Sequence, residues 1–258
     1  MTIRDFKRKK QTSEKITMLT CYDYPSARIV AKSKIDCVLV GDSVAMTVHG
    51  HTTTVMATIE MMSLHTAAVA RGLSGQFLIS DLPFLSYRSN LGETMTHVRQ
   101  LMQAGAHAIK LEGADTHLLN TITHLVHAGV PVMGHIGLTP QSVHQLGGHR
   151  VQGKDVSSAK RLLDDALALE IAGCFAVVIE CVPETLARTI TQRLAIPTIG
   201  IGAGSGTNGQ VLVWHDLLGL DERFQPRFVK QFANTLPFIL DAINAYADEI
   251  THGRFPNA

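Results

Sequence analysis

No apolar run in this 258-residue chain could cross a membrane: the longest, Ile171 to Ile179, falls far short of the roughly 20 residues a span needs. The amino terminus also lacks the apolar core of a secretory signal, so a soluble, cytoplasmic protein is expected. Cysteine is scarce. Cys21, Cys37, Cys174 and Cys181 form no CxxC pair and no metal-finger spacing, which excludes a disulfide framework and a structural zinc. They read as small buried apolar residues in a reducing compartment. Charge imbalance is missing too. A formal net charge of +1, with no basic stripe beyond the first ten residues, gives no reason to expect nucleic acid or anionic membrane as a partner. A small-molecule ligand is what remains.

What the chain has is apolar material for one large core, 45% hydrophobic against 17% charged, at the usual size of a single α/β barrel. Residues 1–258 are therefore expected to form one domain. Cys37-Val-Leu-Val-Gly-Asp-Ser43 sets the pattern: an apolar, β-branched run breaks at Gly41 and delivers an acid and a hydroxyl together. Such a run reads as a strand buried between helices, with its polar end at the carboxyl edge of a sheet. Phe77 to Asp81, Ile109 to Glu112, Val132 to His135 and Ala176 to Glu180 repeat it. Asp42, Asp81, Glu112, His135 and Glu180 are thus expected to form one ring.

Helices fill the intervals. Asn90 is expected to cap one, with Glu93 closing a capping box and Met95, Val98, Leu101 and Met102 as its apolar stripe. The pair Ala-Gly recurs at 104–105, 128–129 and 172–173, each time just before an apolar run, so helix, glycine terminator and strand repeat as a unit. Further strands are expected over 16–20, 197–202 and 210–214. Eight strands with interleaved helices predict a (β/α)8 TIM barrel with its site at the carboxyl face. An open doubly wound sheet is the competitor, but it would gather its site at one switch point rather than draw acids from many strands. A basic helix is expected over residues 2–10, and carboxy-terminal helices over 228–252 with a break near Pro237. The stretch Met46 to Thr58 reads as a loop over the site, with His49 and His51 as polar loop residues.

Carboxylates converging without His or Cys partners suit a hard cation such as Mg2+, and Asp42, Asp81 and Glu112 are the candidate ligands. Lys110 lies two residues before Glu112, on the same face, and a cation there suits a substrate carboxylate that Ser43 could also contact. Glu180 ends an apolar strand where desolvation would strengthen a general base, and His135 reads as its support. The glycines of 199–204 lack GxGxxG spacing, so close backbone packing explains them better than phosphate. Together these residues predict a Mg2+-dependent enzyme that acts on a small carboxylate through an enolate, with the metal as Lewis acid.

Val40 to Ser43 with Met46-Thr47, Ser80 to Phe84, Lys110 to Gly113, Gly134 to Ser142, Val151 to Gly153, Glu180 to Pro183, Ile199 to Gly204, Gly209-Gln210 and His215-Asp216 resemble, in order, the ketopantoate hydroxymethyltransferase family. The resemblance runs from about Thr17 to Pro256. It implies a barrel of the phosphoenolpyruvate mutase and isocitrate lyase type, with hydroxymethyl transfer from 5,10-methylenetetrahydrofolate to 3-methyl-2-oxobutanoate. It further implies Mg2+ on Asp42, Asp81 and Glu112, oxo-acid contacts from Asp42, Ser43, Asp81 and Lys110, and Glu180 as proton acceptor. A cytoplasmic homo-oligomer, frequently a decamer, is implied as well. Ala45, His149 and Asn208 depart from the family pattern beside these motifs. Two alternatives stand against this reading. One is a folate-independent carbon–carbon lyase or mutase, which would want a KKCGH-like lid that the chain lacks; the other is a barrel that only binds an oxo acid, which would need no base.

Overall fold

The computed structural model describes residues 1–221 and 229–256. Eight parallel strands close in sequence order: β1 (Ile16–Thr20), β2 (Cys37–Val40), β3 (Phe77–Asp81), β4 (Ala108–Glu112), β5 (Val132–Gly137), β6 (Ala176–Glu180), β7 (Thr198–Ile201) and β8 (Gly209–Leu212). The expected barrel is what forms. Its major helices are α1 (Ile3–Gln11), α2 (Tyr24–Val30), α4 (Ile59–Gly72), α5 (Leu91–Gln103), α6 (Thr116–His127), α8 (Val156–Ile171) and α9 (Glu184–Arg193); the short α3 (Val44–Thr47) and α7 (Val143–Leu146) sit in the loops after β2 and β5.

Alternation along each strand fills the barrel interior. Met18, Cys37, Leu39, Phe77, Ile79, Ala108, Met133, Ala176, Val178, Ile199 and Val211 pack there, and Phe6 of α1 joins them. The Phe6 ring meets Phe77 and Phe175 edge-on at 5.5 and 5.0 Å, so the basic helix plugs the amino end of the barrel with its apolar side. That leaves the carboxyl end for polar side chains.

Local chemistry stops and starts the helices. Asp23, Thr58, Asn90, Asp115 and Asp155 each accept a hydrogen bond from a first-turn amide. The three Ala-Gly pairs end α5, α6 and α8 alike. Gly105, Gly129 and Gly173 take φ of +110°, +90° and +99°, and the amides after them reach back to the carbonyls of Leu101, Leu125 and Leu169.

Several boundaries differ from expectation. Glu93 does not close a capping box: its carboxylate meets the Ser89 hydroxyl and, at 3.4 Å, the Asn90 side-chain amide instead. The eighth strand ends at Leu212, because Trp214 already opens the short helix α10 (Trp214–Leu218). The helix expected from 228 begins at Leu236, and α11 (Leu236–Thr251) takes Pro237 into its first turn, where a missing amide costs nothing, rather than breaking there. Phe228, where that helix was expected to start, lies outside the described residues. The loop 46–58 carries part of α3 and a 3-10 turn at Thr54–Met56.

The chain divides into two compact units, Met1–Val211 and Leu212–Ala258. In the second, Phe238, Ile239, Ile243 and Tyr246 of α11 are all exposed.

Candidate active site

Strand register decides which polar ends meet. Asp81 stands opposite Lys110 and Glu112 opposite His135, while Glu180 pairs with Gly137, two residues beyond His135. The contacts follow. Lys110 Nζ lies 2.9 Å from Asp81 Oδ1 and 3.7 Å from Glu112 Oε1. His135 presents Nδ1 to Glu112 Oε1 at 3.2 Å and Nε2 to Glu180 Oε2 at 3.3 Å, the latter off the line of a hydrogen bond. Asp42 joins through the turn after β2, where its backbone amide donates to Asp81 Oδ2 at 3.1 Å. Gly41 leaves room for the neighbouring hydroxyl: a Cβ there would sit 2.9 Å from Ser43 Oγ, which would have to turn away. All five residues of the expected ring, with Lys110, are thus gathered at the carboxyl end.

Three residues without an expected role complete the cluster. Gln141, in the 3-10 turn Pro140–Ser142, donates its side-chain amide to Asp42 Oδ2 at 2.9 Å and its backbone amide to Glu112 Oε2 at 3.0 Å. Tyr87 donates its hydroxyl to Gln141 Oε1 at 2.7 Å. The Tyr22 hydroxyl is 2.8 Å from Ser43 Oγ, and the Tyr22 carbonyl lies 2.5 Å from His65 Nδ1, whose Nε2 faces His49 at 2.9 Å. Gln141 stood inside a quoted motif, whereas nothing in periodicity marks Tyr22 or Tyr87.

The electrostatics express crowding. Burial, reinforced by Asp81 and Glu112, raises the Asp42 carboxyl well above its usual range. Burial also raises Asp81 despite the Lys110 ammonium beside it. Glu112 goes the other way, because His135 and Lys110 outweigh its burial. Lys110 is driven up by three carboxylates against the effect of burial. Burial and Lys110 push the His135 imidazole down, but Glu112 and Glu180 prevail and lift it to about 9. Glu180 keeps 17% side-chain exposure against 3% for Glu112, so it is more open than its apolar strand suggested.

These residues fit a hard divalent cation. Asp42, Asp81 and Glu112 bring three carboxylates together at 2–4% exposure with Lys110 as the neighbouring cation, and the two aspartates are held toward neutrality, a state that a divalent charge among the three would reverse. Among the described residues, no three His, Cys, Asp or Glu side chains already stand in ligand geometry; Lys110 engages an oxygen of Asp81, and Gln141 one of Asp42. A cavity of about 350 Å³ lined by Gly113, Ile136, Thr139, Arg161 and Asp165 lies elsewhere: Ile136 follows the inward His135, so that cavity is behind the barrel wall. The glycines after β7 pack closely, as expected, for a Cβ on Gly204 would meet Glu184 Cγ at 2.4 Å.

A closed parallel barrel that gathers buried acids, a lysine and a histidine at its carboxyl end defines a (β/α)8-barrel enzyme. Solved structures agree on the fold: a phosphonopyruvate hydrolase aligns with TM-score 0.64 at 12% identity, covering 100% of this chain and 90% of its own, and a 2,3-dimethylmalate lyase of the PEP mutase/isocitrate lyase superfamily with TM-score 0.60 at 14%, covering 99% and 89%. The profile of the ketopantoate hydroxymethyltransferase family matches residues 1–258, and the chain belongs to that family. Curated relatives include the 3-methyl-2-oxobutanoate hydroxymethyltransferases of Legionella pneumophila (strain Paris), 65% identical over 99% of this chain and 98% of its own, and Coxiella burnetii (strain Dugway 5J108-111), 54% identical over 100% and 97%.

Proposed function

We propose that this protein transfers a hydroxymethyl group from 5,10-methylenetetrahydrofolate to 3-methyl-2-oxobutanoate, giving 2-dehydropantoate (ketopantoate) and tetrahydrofolate with consumption of one water. This is the first committed step of pantothenate biosynthesis. The observation that carries it is Glu180 set 3.3 Å from His135, beside three buried carboxylates, in a member of this family.

Glu180 takes the proton from C3 of the oxo acid, exposing that carbon to the one-carbon unit of the folate. His135 is hydrogen-bonded to Glu112 through Nδ1 and stands with Nε2 3.3 Å from Glu180, so the base lies beside an imidazole that Glu112 anchors. Lys110 and Ser43, the latter steadied by Tyr22, receive the substrate carboxylate. Asp42, Asp81 and Glu112 would hold Mg2+, which supplies Lewis-acid withdrawal of electrons from the oxo acid. At 17% side-chain exposure Glu180 is the most open carboxylate of the ring.

The single-domain reading of residues 1–258, a cytoplasmic location and a homo-oligomer, decameric as the family resemblance implies, belong to the same proposal. No described helix is long and apolar enough to cross a membrane, and the exposed apolar side chains of α11 support a partner subunit. Light scattering checks the assembly, and a stable monomer at micromolar concentration refutes it. The reaction is tested by following exchange of the C3 proton of 3-methyl-2-oxobutanoate with deuterated water, with and without Mg2+, then adding methylenetetrahydrofolate. Mg2+-dependent exchange followed by ketopantoate formation is expected; no exchange marks a binder, and cleavage without folate marks a lyase.

A further inference from the structure

Gln141 is 5% exposed and anchors to the ends of three strands at once. Its side-chain amide donates to Asp42 Oδ2 and to the Leu82 carbonyl, both at 2.9 Å, and its own carbonyl oxygen accepts the Tyr87 hydroxyl at 2.7 Å. Because the Leu82 carbonyl can only accept, the orientation of the amide is fixed by its surroundings. Its backbone amide donates to Glu112 Oε2 at 3.0 Å. One residue therefore occupies one oxygen of Asp42 and one of Glu112, turning the other oxygen of each carboxylate elsewhere. Gln141 reaches both acids from a loop after β5, Asp42 through its side chain and Glu112 through its backbone amide.

We propose that Gln141 is a positioning residue: it orients Asp42 and Glu112 so that a divalent cation and the oxo acid can be bound together. The inference rests on the metal reading given above. A neutral amide suits this task. It satisfies an acceptor-only carbonyl and an anionic carboxylate while adding no charge to an already crowded cluster, whereas Glu there would face Asp42 as a fourth acid. Tyr87 is the far end of the same strut, holding the amide from the side away from Asp42.

The test uses the full chain with Mg2+ as the probe. Gln141→Met keeps the side-chain length and the backbone bond to Glu112 while it removes the bonds to Asp42, Leu82 and Tyr87; Tyr87→Phe removes the bond to the amide together with the longer contacts of its hydroxyl with the Glu112 backbone, at 3.3 and 3.5 Å. Calorimetric titration with Mg2+ in the presence of 3-methyl-2-oxobutanoate is expected to show the dissociation constant raised about tenfold in Gln141→Met and about threefold in Tyr87→Phe, the scale of one charge-assisted and one neutral hydrogen bond. Proton exchange at saturating Mg2+ should recover to within about threefold of wild type, because the base is untouched. A role in folding alone would leave the Mg2+ dependence where it was. Wild-type affinity in Gln141→Met overturns the inference. If that variant does not fold, Tyr87→Phe decides alone, an unshifted dissociation constant counting against the strut. Failure of the wild-type protein itself to bind Mg2+ overturns the metal reading and this inference together, so the two failures are told apart.

Discussion

Replacing Glu180 by Gln separates catalysis from folding more cleanly than any other change at the site. The substitution keeps length and shape and removes the charge that makes the residue a base. Its structural cost is small: the contact with His135 Nε2 is 3.3 Å, off the hydrogen-bond line, and 17% of the Glu180 side chain is exposed. With His135 still bonded to Glu112 through Nδ1, losing this largely buried but poorly aligned contact costs about 1–2 kcal/mol, and each kcal/mol moves the melting temperature of a chain this size by about 2–4 °C. The kinetic cost is larger. Loss of a general base lowers rate by about 10² to 10⁴, or roughly 3–5 kcal/mol of barrier. The two magnitudes do not overlap, so a folded protein with normal affinity for Mg2+ and 3-methyl-2-oxobutanoate is expected to lose exchange of the C3 proton by at least about a hundredfold. Proton NMR in deuterated water reads the exchange without folate, and calorimetry reads the binding. Exchange within tenfold of wild type would remove Glu180 from its assigned role. So would a loss explained entirely by weakened binding.

Asp81→Ala is expected to abolish Mg2+-dependent binding of the oxo acid; because it also strips the buried Lys110 of its nearest partner, at a cost of about 3–5 kcal/mol, Asp81→Asn serves as the milder control, and wild-type affinity in a folded variant would count against the metal site. Gly137→Ala should destabilise by about 2–4 kcal/mol in a urea titration, since the backbone is at φ +94° and the new Cβ would lie 2.2 Å from the Glu180 carbonyl oxygen; an unchanged midpoint would show that β5 yields there. Burial, then Asp221, raises the Asp216 carboxyl to about 6 from 3.8. The folded state then binds more protons than the unfolded one between those values, so Asp216 erodes stability as pH climbs from about 4 to 6 and the penalty is complete above 6. Asp216→Asn should therefore stabilise by about 1 kcal/mol at pH 7.5, after allowance for solvent screening, and by nothing near pH 3.5; a gain equal at both would refute the assignment.

Each departure from the sequence reading has its own local cause. The expected capping box at Asn90 assumed that Glu93 reaches back to the helix start, yet Ser89 offered it a nearer hydroxyl. Trp214 read as strand because an apolar run gives no sign of where pairing stops, and β8 pairs with β7 only through Gly209 and Gln210. Pro237 read as a break because its effect depends on position: in a first turn it is compatible with helix, in an interior it is not.

The eight apolar runs, the acid or histidine ends of five of them and the glycine-terminated helices were written in local order, which is why the barrel, the ring of Asp42, Asp81, Glu112, His135 and Glu180, and the family could all be read without coordinates. Alternation says which face a side chain takes, and nothing about which neighbour it meets. Only closure and register brought Lys110 against Asp81, spread His135 between Glu112 and Glu180, and carried Gln141 across 99 residues of sequence to Asp42. Those pairings exist only when strands far apart in the chain lie side by side, so no window of sequence contains them.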